Sequence, residues 1–373
     1  MAREEPSRGK RIGRVRGQAP EAWRGPRTNT RAAIPIDSGK RGMPCAVAPM
    51  KGTPVCVAPR TADQPGSPMH NVFLSLGTIA LVGSTLQRLF PDWNIEDFRK
   101  SLNRLVLFVL LPSLIFKVIY TSDLDGVLYQ VPLVAAAGIL GCLGVALPAF
   151  GWMSIDRRAK GSLILACAFG NVTYLGLPVL QGVFPEHQLD ISKIAILCEV
   201  TVAPLNLIVG SLLAMRFSGE QGVGLRQSLA QVMRLPPIWA LVAALACKFL
   251  RIPVPEFILH GTAVLGATVS GLMILSLGMA LRFQRIGHPL PILAVSGIKL
   301  LLSPLLVFGA ASLLAMKEPY LEAVTLEGAM PSQLLTIVIA DRFNLDGRLL
   351  AHAIVINTVI AFVTIPLVRA VLF

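Results

Sequence analysis

From residue 70 onward the sequence is a succession of long apolar stretches, unbroken over well more than ten residues and lacking the strict alternation of a barrel strand. Lipid offers the backbone no hydrogen-bond partner, so a segment that crosses a bilayer closes its own bonds as a helix or joins a sealed barrel. These stretches fit helices only. Composition agrees, with 54% hydrophobic and 15% charged residues, against roughly 25% charged residues in a soluble domain. The expectation is an all-α membrane protein whose first partner is the lipid bilayer.

A window of about 19 residues predicts ten spans near 70–89, 103–120, 128–150, 160–184, 190–215, 236–250, 257–281, 289–316, 320–340 and 349–371. Glu322, Glu327 and Asp341 interrupt the ninth. Odd-numbered loops carry 14 Lys or Arg, among them Arg99, Arg157 and Arg282. The even loops and the C-terminus carry six, namely Lys117, Lys193, Lys248, Arg251, Lys317 and Arg369. The positive-inside rule then puts the odd loops in the cytoplasm and both ends of the membrane domain outside, in a cell membrane, inner or plasma.

Residues 1–68 hold 13 Lys or Arg and 5 Asp or Glu, with no apolar core of the kind a secretory leader needs. Such a tail is expected to be disordered. Exporting it would violate the same charge rule, which favours a translation start at Met69 over a lipid-binding or nucleic-acid-binding arm. Beyond it the chain divides into five spans over 69–216, a loop over 217–235 and five spans over 236–373. In the loop, Leu225, Leu229 and Val232 share one helical face, so this segment is expected to lie along the cytoplasmic surface. Five being odd, the second half enters from the opposite side, the arrangement of an inverted-repeat transporter.

Two stretches break the helical pattern at membrane depth. The fourth span reads Gly170-Asn171-Val172-Thr173-Tyr174-Leu175-Gly176-Leu177-Pro178, and the ninth reads Glu327-Gly328-Ala329-Met330-Pro331-Ser332-Gln333. Pro178 lacks an N–H and its ring clashes with the Tyr174 carbonyl, which predicts unpaired backbone around 171–177. Irregular backbone at that depth faces protein or a water-filled cavity, and matched breaks in two halves point to a transporter's midplane site. Each break also creates a half-helix N-terminus that attracts an anion. Asn171, Thr173, Ser332 and Gln333 are then candidate side-chain partners for a small organic anion, as against two proline kinks whose amides bond neighbouring backbone.

GNVTYLGLPVL in the fourth span, VLFVLLPSLIF in the second, GAMPSQ in the ninth and NTVIAFVTIPL in the tenth resemble the signature segments of the auxin efflux carrier family, including its bacterial members. The likeness runs from about Met69 to the C-terminus. It implies ten helices in two inverted five-helix repeats, with the fourth and ninth crossing at their breaks, a fold shared with bile acid symporters. It also implies organic-anion transport at that crossing, onto which Asn171, Pro178 and Pro331 map. The chain departs from the family at Gly271, where a proline is common, leaving the shape of the seventh helix open.

An ionisable group inside the bilayer costs at least about 2.5 kcal/mol and so calls for a partner or a task. Glu199, about ten residues into the fifth span and seven before Asn206, is a candidate for coupling transport to protons. Glu327, beside the second break, is the alternative coupling carboxylate. Lys299 in the eighth span is expected to pair with Glu199 or Glu327, or else to attract the anion. Asn357 is a further candidate cavity residue. Cys45, Cys56, Cys142, Cys167, Cys198 and Cys247 form no CxxC pair or Cys/His cluster and read as small apolar residues. No metal site or cofactor is expected. No HExxH, GxSxG or paired-Asp motif is present, so an enzyme is not expected. A channel or a non-transporting ligand sensor of the same fold is the competing reading, and pairing with a second copy of the chain stays open.

Overall fold

The computed structural model describes residues 69–90, 94–123, 126–218, 230, 232–280 and 289–373. The basic tail 1–68, with Cys45 and Cys56, lies outside the described residues, as do Leu225 and Leu229 of the expected surface segment.

Twelve helices follow one another among the described residues: α1 (Met69–Leu89), α2 (Ile95–Thr121), α3 (Val127–Trp152), α4 (Arg157–Ala168), α5 (Val172–Val183), α6 (Pro185–Ser218), α7 (Pro236–Phe249), α8 (Glu256–Ala280), α9 (Pro289–Leu313), α10 (Tyr320–Gly328), α11 (Leu335–Arg342) and α12 (Gly347–Leu372). Helix occupies each of the ten stretches predicted as spans. By length and composition α2, α3, α6, α8, α9 and α12 are able to cross a membrane, and α1, α5 and α7 contain shorter apolar helices. The two predicted interruptions are real, separating α4 from α5 and α10 from α11. No strand is present among the described residues.

Local chemistry explains where these helices start and loosen. The starts of α2, α4 and α12 are capped by Asn94, Asp156 and Asp346, whose side chains accept from the N–H groups of Asp97, Arg158 and Leu349. Each cap satisfies one of the N–H groups a first turn leaves free. Four helices widen to π-wound turns among the described residues, at 106–110, 172–176, 206–210 and 297–302, and all but the one in α6 end two residues before a proline: Pro112, Pro178 and Pro304. The wider turn moves the carbonyl four residues back out of the way of the proline ring. This corrects the expected role of Pro178. The helix absorbs it, and the break falls earlier, at Gly170. The seventh span is also settled, since α8 runs through Gly271 as helix and loosens only at Thr268.

The helices pack in two groups. One holds α1, α2, α7 and α8; the other holds α3–α6 and α9–α12. In the first group α1 and α8 touch backbone to backbone: a Cβ at Gly278 would lie 2.0 Å from the Ala80 carbonyl oxygen, and one at Gly83 would lie 2.3 Å from that of Leu275.

Charged side chains tie the helix ends opposite those caps. Lys193, buried at the start of α6, donates to the Asp123 carbonyl at 2.7 Å and the Tyr320 hydroxyl at 3.1 Å, with its ammonium 4.6 Å from the Tyr320 ring centre. Arg369 of α12 pairs with Glu322 of α10. Hydrogen bonds from a charged donor contribute about 1.5–3 kcal/mol, so Lys193→Met is expected to lower stability by about that amount. Asp190→Asn removes only an exposed carboxylate 3.5 Å from Lys193 and is expected to cost under about 1 kcal/mol. Thermal unfolding of the purified protein in detergent measures both.

Candidate functional site

The two breaks lie side by side. Gly170 and Ser332 form an antiparallel bridge, the Asn171 N–H donates to the Pro331 carbonyl at 2.7 Å, and the Gln333 N–H donates to the Phe169 carbonyl at 2.9 Å. Each interruption therefore supplies backbone partners that the other lost, which is how non-helical chain survives away from water. Pro331 contributes through its carbonyl and has no N–H to leave unpaired.

Polar side chains lock this pairing in place. Ser332 Oγ donates to the Ala166 carbonyl at 2.7 Å and accepts from Asn357 Nδ2 at 2.8 Å. Ser296 Oγ in turn donates to Asn357 Oδ1 at 2.6 Å. The chain Ser296–Asn357–Ser332–Ala166 thus joins α9, α12, the second break and α4. Gln333 Oε1 accepts from Asn206 Nδ2 of α6 at 3.0 Å. Ser332, Gln333 and Asn357 are therefore occupied in holding the two breaks together. Thr173 donates to Glu199, which takes no ion pair among the described residues.

Asn171 differs from these. Its side chain is 1% exposed, and neither its Oδ1 nor its Nδ2 has a hydrogen-bond partner. A buried amide left unsatisfied costs about 1–3 kcal/mol per group and is rare in native proteins. It also sits at the start of α5, where Leu175 and Gly176 make the first intrahelical bonds, to the Asn171 carbonyl at 3.3 and 3.2 Å. The N–H groups of Val172, Thr173 and Tyr174 precede those bonds and carry the positive end of the helix dipole. Free amide and helix N-terminus together suit an oxyanion.

Lys299 enters from α9 and brings its ammonium next to Gly170. At 3% exposure its ammonium donates to the Gly328 carbonyl and to Ser303 Oγ, both at 3.0 Å, and Ser303 Oγ donates to the same carbonyl at 2.8 Å. The expected ion pair with Glu199 or Glu327 is absent. The ammonium instead faces the carbonyl end of α10, where the half-helix dipole is negative. Lys299 and Glu327 both line a cavity of about 30 Å³ together with Gly170, Ser303 and Gly328. Ser296, Lys299 and Ser303 recur on one face of α9. That spacing of polar residues within an apolar run was the signal by which the two serines stood to be found.

The sequence model of the membrane transport protein family matches residues 78–369. Relatives include an uncharacterised transporter of Methanothermobacter thermautotrophicus, 30% identical over 74% of this chain and 90% of its own length. Another, from Methanocaldococcus jannaschii, is 27% identical over 73% of this chain and 89% of that protein. The uncharacterised transporter YfdV of Escherichia coli K12 is 23% identical over 73% and 88%. The match across nearly all the helices, with transporters as relatives, shows that the chain belongs to this family of membrane transport proteins, the auxin efflux carriers.

Proposed function

We propose that the protein is a secondary carrier that moves small organic anions, carboxylates foremost, across the cell membrane by alternating access. In this reading residues 69–216 and 236–373 are two inverted five-helix repeats that cross the membrane ten times, joined by a cytoplasmic loop over 217–235, with both ends of the membrane domain outside. The loop charges support that orientation. The antiparallel meeting of the breaks, each in the fourth span of its half, supports the inversion.

The observation that carries the reading is the unpartnered Asn171 amide at the start of α5. A carboxylate there gains Nδ2 and the first-turn N–H groups, with the half-helix dipole as its counter-charge. Asn357 and Ser332 hold the platform, and Gln333 with Asn206 fixes the second break against α6. Pro178 lies two turns along α5 and shapes that helix rather than touching the anion.

A thermal-shift screen with malonate, indole-3-acetate and larger organic acids tests this, because stabilisation rises with ligand concentration over Kd. At least one acid is expected to raise the unfolding temperature of the wild type. Since the Asn171 side chain makes no hydrogen bond in the free protein, Asn171→Ala is expected to leave the unliganded unfolding temperature within a few degrees. It is expected to weaken acid binding about 10- to 100-fold, the loss of a charge-assisted bond of about 1.5–3 kcal/mol. Equal binding by wild type and variant would remove Asn171 from the site.

A further inference from the structure

Among the polar side chains at the breaks, Glu327 is buried at 3% exposure with neither carboxyl oxygen hydrogen-bonded. It is seated against α5: a Cβ at Gly176 would lie 2.2 Å from its Oε2 and 2.7 Å from its Oε1, so a larger residue at 176 would displace the carboxyl from this position. On its open side is the cavity of about 30 Å³ shared with Lys299. Such a space takes one or two waters and no carboxylic acid. The cavity is thus separate in purpose from an organic-anion pocket. A metal cation suits it badly, because the Lys299 ammonium already takes the Gly328 carbonyl and the Ser303 hydroxyl that a hard cation would need. An ionised carboxylate without donor or ion pair costs several kcal/mol at this depth, whereas the neutral acid forgoes only hydrogen bonds.

We propose that Glu327 is the proton-binding group of the carrier, neutral in the conformation described here and releasing its proton to cavity water when the breaks part, so that a proton accompanies the substrate. The step is a proton transfer: an O–H bond of the carboxylic acid breaks, a cavity water accepts the proton, and the carboxylate left behind faces the Lys299 ammonium. The groups that bear on it are few. Lys299 of α9 lines the same cavity, and Glu199 of α6 accepts from Thr173 of α5. Cys198 of α6 lines the same cavity, to which α3 presents only Ala135, Gly138 and Ile139. At the far end of α10, Arg369 of α12 is held by Glu322, and Lys193 of α6 by Asp123 and Tyr320.

Part of the test is independent of the carrier reading on which this inference rests. Infrared spectra of the purified protein in lipid at neutral pH, where solvent-exposed carboxyl groups are ionised, are expected to show a protonated-carboxyl band in the wild type and in Glu199→Gln that is missing from Glu327→Gln. A band retained in Glu327→Gln, or lost only in Glu199→Gln, overturns the proposal. If the glutamine variant does not purify as a single species, Glu327→Asp is expected to shift the band, and an unshifted band overturns the proposal equally. In proteoliposomes containing a pH-sensitive dye, malonate entry is expected to bring protons into the lumen with wild type and none with Glu327→Gln, whatever malonate flux remains. Malonate accumulation driven by sodium without proton movement also overturns it. Absence of malonate flux in the wild type would count against the carrier reading for that acid, with the infrared result still deciding Glu327.

Discussion

Lys299→Ala is expected to reduce transport to background and to lower stability by about 2–5 kcal/mol, the range for truncating a large buried side chain. Two contributions add. The ammonium is the charged donor to the Gly328 carbonyl and to Ser303, and its loss leaves that carbonyl, at the negative end of α10, with Ser303 as its remaining partner. The missing side chain also enlarges the cavity beside Glu327, which then faces no cation. Lys299→Met separates the two, because it keeps most of the volume and none of the charge; it is expected to recover about half of the stability and none of the transport. Lys299→Arg is not expected to rescue transport, since a planar guanidinium does not reproduce the compact ammonium that reaches both the Gly328 carbonyl and Ser303 Oγ. Thermal unfolding in detergent and acid uptake into proteoliposomes measure the two effects independently.

Gly278→Leu is expected to be more damaging still to assembly, leaving little protein that elutes as a single species from a sizing column. The atoms that a side chain at 278 would meet are the carbonyl oxygen and carbon of Ala80, at 2.0 and 2.7 Å. These are backbone, so no rotamer change relieves the clash. α1 and α8 must separate instead. In lipid the association of helices rests on close packing rather than on a hydrophobic driving force, so separation forfeits the contact itself. The cost is expected at or above the upper end of the roughly 1–3 kcal/mol typical of overpacking, with Gly278→Ala intermediate. Gly271→Leu is the control on the same helix: a Cβ there meets nothing within 4 Å, and the variant is expected to purify like the wild type.

The contrast between what the sequence revealed and what it hid has physical causes. Apolar length is a local property, so helix occupies all ten predicted stretches. The caps Asn94, Asp156 and Asp346 act just as locally, each bonding the first turn of the helix beside it. The interruption at Met330-Pro331-Ser332 is legible because a proline beside polar residues at depth has no helical solution that leaves the backbone paired. Pro178 misleads for the converse reason. A π-wound turn at 172–176 absorbs it, and whether a helix widens or breaks depends on what is available to receive the freed groups. Here the receiving partner is the other break, 160 residues away in sequence. No local pattern shows that pairing; the expectation that the two breaks meet comes only with the family resemblance.

Side-chain roles divide along the same line. Ser332, Gln333 and Asn357 are polar at depth and so read as candidate ligands, yet their partners, Ala166, Asn206 and Ser296, come from three other helices and commit them to the platform. Asn171 has the same composition signal and the opposite fate, because nothing reaches it. Glu199, about ten residues into its span, reads as the first coupling candidate, but Thr173 donates to it, whereas Glu327 is left without a donor where it lies against Gly176. Which polar group is free is decided by three-dimensional pairing, and free groups are the ones a ligand or a proton needs.

The central claim is that the paired breaks bind an organic anion and hand it across the membrane. Counterflow in proteoliposomes tests it most directly: vesicles loaded with an unlabelled acid that scores in the thermal-shift screen are diluted into a trace of the labelled acid. The account predicts transient, saturable accumulation of label with the wild type, driven by the unlabelled acid alone and reduced at least tenfold by Asn171→Ala. Label that merely equilibrates without overshoot, or accumulates equally with Asn171→Ala, would contradict it.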